Sequence, residues 1–168
     1  MKAENINPFI TAVNELFENM LDCKLKMNKP GLVVQENGTP DIIGVIGMSG
    51  TAQGIVALRL PVRTALAMVG RMVGMEFRGV DSSIIDGVGE LVNIIAGSAK
   101  GKFDGHAINL SLPTVVRGNI CQLSNLQNAV FLDVPFESEL GNFSLMVTFK
   151  PAVVPEKKEA IHAGIGSR

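Results

Sequence analysis

From Ile42 to Leu58 the chain carries no charged residue. A stretch this apolar has to leave water in any fold, and that requirement constrains the chain more than any other feature. Its length approaches the roughly 20 residues of a membrane-spanning helix. However, Gly44, Gly47, Ser49, Gly50, Gln53 and Gly54 interrupt it too often for a stable helix. The pattern predicts two buried strands, Ile42–Met48 and Gly54–Leu60, paired antiparallel around Ser49-Gly50-Thr51.

Three segments have the periodicity of amphipathic helices that would cover such a pair. Asn7 is placed to cap a first helix with Pro8 at its opening position, and Phe9, Ile10, Val13, Leu16, Phe17, Met20 and Leu21 form its apolar face. Pro61 opens a second helix, Val62 to Met72, predicted to bury Val62, Leu66, Val69 and Val73, to leave Arg63 and Arg71 in water, and to end at Gly74. The third runs from Asp81 to Gly101, capped by Asp81 or Ser82. Ile84, Val88, Leu91, Ile95 and Ala99, flanked by Ile85 and Val92, make one continuous apolar face.

The opposite face of that third helix is the candidate site. It carries Asp86, Glu90, Asn93 and Gly97, with Gly89, Lys100 and Gly101 beside them. An acid and an amide on a wet helix are ordinary surface residues. What sets this pair apart is the glycine around it. Gly87, Gly89 and Gly97 each forgo about 1 kcal/mol of helix propensity relative to alanine, and a merely solvated face would carry Lys, Glu or Ala instead. The bare positions read as clearance for another molecule. Glu90 and Asn93, one turn apart, would both reach the same small target.

Further strands are expected at Leu25-Lys26-Met27, resuming at Leu32-Val33-Val34 after Pro30-Gly31, at Ile108–Leu112 with Val115-Val116 after Pro113, at Asn128–Val134 and at Asn142–Lys150, with Asn37-Gly38 as a turn. The segment from Leu25 to Val33 repeats the apolar and proline spacing of Ile108 to Val116. Each copy follows an amphipathic helix and precedes a strand pair. The fold class is therefore α+β: two pseudo-symmetric helix-plus-three-strand halves in a mainly antiparallel six-stranded sheet, with long helices packed on one face. In this scheme the first helix is the twin of the third, with Glu15 and Glu18 as the counterpart stripe, lacking the amide. Residues 1–151 read as one domain and 152–168 as a flexible tail.

Composition removes several classes of function. The 168 residues hold 15 basic and 16 acidic side chains, net charge −1, with no basic run, so nucleic acid and anionic membrane are not expected partners. Glu4 lies where a signal peptide would be apolar, and Cys23 and Cys121 suit buried thiols in a cytoplasmic protein. His106 and His162 are isolated in sequence, and no zinc-protease, nucleophile-elbow or P-loop pattern occurs. Gly70-Arg71-Met72-Val73-Gly74 and the set Met68, Met72 and Met75 read as packing. Asn93 cannot act as a base, since an amide only donates and accepts hydrogen bonds. Glu90 can pair with a lysine. Together they suit a protein that anchors a partner and orients water toward a bond already activated elsewhere.

The run from Gly89 to Lys100, with Asp86 four residues before Glu90 and Pro113 in the following strand, resembles the motif of the CheC, CheX and FliY phosphatases of bacterial chemotaxis. The resemblance extends from Asn7-Pro8-Phe9 to about Pro151. With one Glu and Asn pair rather than two, the chain is most similar to the CheX type. The resemblance implies hydrolysis of the aspartyl phosphate of a CheY-type receiver domain. Glu90 would pair with the receiver's lysine and Asn93 would orient the attacking water. Mg2+ would be supplied by the receiver, with no metal or cofactor of the chain's own. It also implies a homodimer formed through sheet edges. Asp86, Gly89, Gly97 and Lys100 become partner-binding positions, and Pro113 is read as shaping the strand entry. The alternative is a non-catalytic adaptor for a receiver or a flagellar switch component, which would need the surface but not the amide.

Overall fold

A computed structural model describes residues 3–32, 41–105, 107–118 and 131–151. The readings of Val33-Val34, Asn37-Gly38, His106, Cys121, Asn128, the tail 152–168 and His162 lie outside these residues. The elements are α1 (Ala3–Asn19), β1 (Leu25–Met27), β2 (Gly31–Leu32), β3 (Asp41–Gly50), β4 (Ala52–Pro61), α2 (Val62–Val73), α3 (Ser82–Lys100), β5 (Ile108–Leu110), β6 (Thr114–Gly118), β7 (Leu132–Ser138) and β8 (Gly141–Pro151).

The charge-free stretch forms the β3–β4 hairpin, in register from Asp41 opposite Pro61 to Met48 opposite Gly54, with Gly50 at φ 110° in the turn. The sheet is six positions wide, in the order β1-β7-β8-β4-β3-β5, with β2 also on β7 and β6 also on β3. Each outer position holds two short strands because Asn28-Lys29-Pro30 and Ser111-Leu112-Pro113 break the ladder, and proline has no N–H to donate.

The repeat is a true pseudo-symmetry, and its outer strands are exchanged. Leu25–Met27 pairs with Phe136–Ser138 of the second half's hairpin, and Ile108–Leu110 pairs in the same way with Met48–Gly50 of the first. β4 and β8 meet at the centre. There Ala57 faces Met146, with Val56 on Val147 and Leu58 on Leu145 to either side, as a two-fold between Ala57 and Met146 requires.

All three helices contribute to a core on one face of the sheet, where Ile42, Ile46, Val56, Leu58, Leu60, Leu145 and Val147 meet Phe9, Val13, Phe17, Met68, Val88, Leu91 and Ile95. Phe103 stacks on Phe149 with centroids 4.8 Å apart and Phe17 on Phe143 at 5.2 Å. The alternate residues Ile43, Ala57 and Met146 form a smaller cluster with Phe131 on the other face. Beyond the expected strand, Asp41 is also buried and ion-paired with Arg59.

Two helices differ from expectation. α1 begins at Ala3, so Pro8 lies inside it rather than at its start. α2 buries Thr64, Ala65, Met68, Val69 and Gly70, while Val62 and Leu66 are half-buried and Val73 is 49% exposed. The helix is rolled because Thr64 donates from Oγ1 to the Asn142 carbonyl at 3.0 Å, which satisfies the hydroxyl inside the protein. Gly70 and Gly74 form a local device. Gly74 caps α2 in the left-handed region at φ 71°, and the chain returns so closely that a methyl on Gly70 would stand 2.6 Å from the Met75 carbonyl oxygen. Of the three methionines Met68 is core, whereas Met75 is 62% exposed.

Candidate functional site

α3 is held at its start and along one face. Asp81 caps it by accepting the Ile84 N–H at 3.1 Å, and Ile84, Val88, Leu91, Val92, Ile95, Ala96 and Ala99 are buried. It lies directly on β3. A methyl on Gly44 would stand 3.0 Å from Val92 Cγ1 and 3.1 Å from the Val88 carbonyl oxygen, so the bare strand position sets that distance. Close seating on sheet and neighbours fixes the rotation of the helix, and with it the direction of its outer face.

That outer face presents Asp86, Glu90, Asn93, Gly97 and Lys100, all exposed. Among the described residues neither the Glu90 carboxylate nor the Asn93 amide has a hydrogen-bond or ion-pair partner. Both are therefore available to a second molecule. Lys100 likewise makes no ion pair among these residues.

The glycines do not act as one stripe. Gly97 has nothing within 4 Å of where a methyl would sit and is open to solvent, as clearance for a partner requires. Gly87 is buried against α2, and a methyl there would stand 2.5 Å and 2.8 Å from the two γ carbons of Val69. Gly89 is buried as well, facing Val115 and Pro113 at 3.5–3.8 Å. Those two positions bring neighbours of the same chain close to α3, and the clearance reading is corrected for them. Gly89 is covered by the Val115 and Pro113 side chains of the same chain.

Pro113 thus does more than shape a strand entry. With Val115, Ile85, Asp86, Gly89 and Glu90 it lines a shallow cavity of about 250 Å³ that puts an apolar wall beside the Glu90 carboxylate. The readable signal was the Leu-Pro break in the outer strand; its placement over Gly89 was not readable. A larger groove of about 600 Å³ runs along α2 and the turn after it, from Arg63 to Arg78, and contains none of the polar residues of α3.

The twin-helix assignment also changes. The spacing that carries Leu25 onto Ile108 carries Glu15 onto Ser98, and these two meet across the helix pair. Ser98 Oγ donates to Glu15 Oε2 at 2.7 Å, while Lys102 Nζ lies 2.7 Å from Oε1. The Lys102 hydrogen bond and then that from Ser98 hold the Glu15 carboxyl below its ordinary value of 4.5. Glu15 is thus a structural tie near the pseudo-two-fold. By the same spacing Asn7 and half-buried Ile10 occupy the positions of Glu90 and Asn93. The chain still carries one Glu and Asn pair, but its degenerate counterpart lies earlier in α1 than Glu15 and Glu18.

In its six-position antiparallel sheet with an internal two-fold and helices on one face, the chain is similar to CheC-like proteins. The chain superposes on a CheC-like superfamily protein from Shewanella sp. PV-4 with a TM-score of 0.78 at 27% identity, covering 89% of this chain and 99% of that one. The family model described as chemotaxis phosphatase CheX matches residues 42–137, and the chain belongs to that family. It is 29% identical over 153 residues to the CheY-P phosphatase CheX of Thermotoga maritima, covering 89% of this chain and 98% of the relative. The fold is also that of CheX in the CheX–CheY–BeF3–Mg2+ complex from Borrelia burgdorferi, with a TM-score of 0.76 at 22% identity and coverage of 89% and 99%. Among the described residues no helix is long and apolar enough to cross a membrane.

Proposed function

We propose that this chain hydrolyses the aspartyl phosphate of a CheY-type receiver domain, with Glu90 anchoring the receiver and Asn93 orienting the attacking water. The observation that carries the reading is the pair itself: an acid and an amide one turn apart, exposed and without partners among the described residues, on a helix whose rotation is set by packing. The names of its Thermotoga and Borrelia relatives support the choice of partner.

In this reaction the Glu90 carboxylate pairs with a lysine beside the receiver's phosphoaspartate, which brings Asn93 to the acyl phosphate. The amide oxygen accepts a hydrogen bond from water and the amide N–H donates to it or to the phosphoryl group, aligning the water for in-line attack. The new bond joins the water oxygen to phosphorus, and the bond between phosphorus and the aspartyl oxygen breaks. The aspartate leaves as carboxylate, and the water proton passes to the phosphate or to solvent. Mg2+, bound by the receiver, offsets the phosphoryl charge. The contribution of this chain is positioning, which accounts for rate effects of about a hundredfold from small displacements. Asp86 and Lys100 border the receiver, and open Gly97 lets its loops approach. A homodimer joined at a sheet edge belongs to the same reading and is checked by sedimentation.

The test is the decay of a phosphorylated CheY-type receiver with Mg2+, alone and with wild type, Glu90→Ala or Asn93→Ala. Acceleration that Asn93→Ala lowers about a hundredfold in kcat is the expected result. A receiver that binds but decays at its own rate would place the chain among adaptors.

A further inference from the structure

We infer that Leu112 is a partner-contact residue that sets which receiver the Glu90 face accepts, an inference that rests on the receiver-binding part of the preceding reading. At 87% exposure Leu112 is the most exposed large apolar side chain among the described residues. A single surface leucine is ordinary in itself. What distinguishes Leu112 is that both of its neighbours are anchored.

Ser111 is fastened to β3 by two hydrogen bonds and to Leu112 by a third. Its N–H donates to the Gly47 carbonyl at 2.9 Å, its Oγ accepts the Gly47 N–H at 2.9 Å, and the same hydroxyl donates to the Leu112 carbonyl at 2.9 Å. On the other side Pro113, with its φ restricted by the ring, packs over Gly89. The backbone of Leu112 is therefore held between Ser111, clasped to Gly47 by two bonds, and a proline seated on α3. Moving the Leu112 backbone inward would mean breaking one of the two. A loop built to solubilise a strand break would carry a polar residue here.

The position matters as much as the exposure. Pro113 and Val115 form the wall of the cavity that also includes Glu90, and exposed Leu112, which directly precedes Pro113 in the chain, adjoins that wall to make an apolar lip. A lysine reaching Glu90 brings the surrounding receiver surface against this lip. A receiver with an apolar side chain beside that lysine covers Leu112 and Pro113. One with a charge there leaves the charge desolvated and unpaired, and is rejected. Glu90 and Asn93 act on features common to phosphorylated receivers; the lip discriminates among them.

The experiment is titration of a beryllofluoride-activated CheY-type receiver, with Mg2+, against wild type, Leu112→Asp, Leu112→Met and Asn93→Ala, alongside steady-state dephosphorylation. Leu112→Asp is expected to weaken binding and raise KM about tenfold with kcat unchanged. Leu112→Met is expected to stay within about twofold of wild type, because it keeps an apolar surface. Asn93→Ala is expected to do the reverse, lowering kcat while binding holds. Unchanged binding by Leu112→Asp overturns the inference whatever the activity. If wild type binds without hydrolysing and Leu112→Asp still loses binding, the lip stands and the hydrolytic reading falls. If wild type binds no receiver tested, both fall.

Discussion

Alanine at Gly87 and at Gly97 should move stability in opposite directions, although both residues lie in the interior of α3. Each substitution gains up to about 1 kcal/mol of intrinsic helix propensity. At Gly97 nothing lies within 4 Å of the new methyl, so most of that gain should appear as added stability. At Gly87 the methyl would stand 2.5 Å and 2.8 Å from the γ carbons of Val69. Both branches of a side chain that strongly prefers one χ1 rotamer on a helix are involved, so Val69 cannot simply turn aside. Overpacking of this kind costs about 1–3 kcal/mol. The net expectation is destabilisation by up to about 2 kcal/mol, with the two variants separated by about 1–3 kcal/mol. Val69→Ala removes both clashing carbons. In a double-mutant cycle, Gly87→Ala should therefore be neutral or stabilising in the Val69→Ala background. Urea unfolding midpoints at constant slope give each value. Gly87→Ala as stabilising as Gly97→Ala, or absence of coupling to Val69, would refute the close α2–α3 contact and the packing role assigned to this glycine.

Other outcomes follow from the same contacts. Asp81→Ala should lower stability by about 1 kcal/mol through loss of the α3 cap, measured by the same unfolding assay. Gly97→Leu should leave the fold intact but raise KM for the receiver by fillng the open position, and an unchanged KM would remove Gly97 from the docking face. The Glu15 carboxyl has a folded-state pKa below 4.5, so its contribution to stability is present above 4.5 and is lost as pH falls through the lower folded value. The gap in unfolding midpoint between wild type and Glu15→Gln should accordingly be full at neutral pH and shrink below 4.5, and a gap independent of pH would dissociate Glu15 from Lys102 and Ser98.

The features legible in the sequence are those set by local geometry. Alternation and glycine breaks give the β3–β4 hairpin; the apolar row from Ile84 to Ala99 gives α3 and, by exclusion, the exposure of Glu90 and Asn93; Asp81 and Gly74 mark helix ends. Each is decided within a few residues, because backbone periodicity dictates which side chains share a face. Tertiary structure alone decided what stands opposite each face. Whether a bare helix position meets solvent, as at Gly97, or Val69, as at Gly87, depends on where α2 lies, and α2 itself is rolled by the hydrogen bond from Thr64 to Asn142. Glu15 reads as free surface until Ser98 and Lys102 are brought to it across the helix pair. The outer strands exchange partners between halves, and that exchange seats Pro113 over Gly89. These contacts join residues far apart in the chain. The sequence carries the shape of each piece, and only the packed sheet brings the Leu-Pro break to the Glu90 carboxylate.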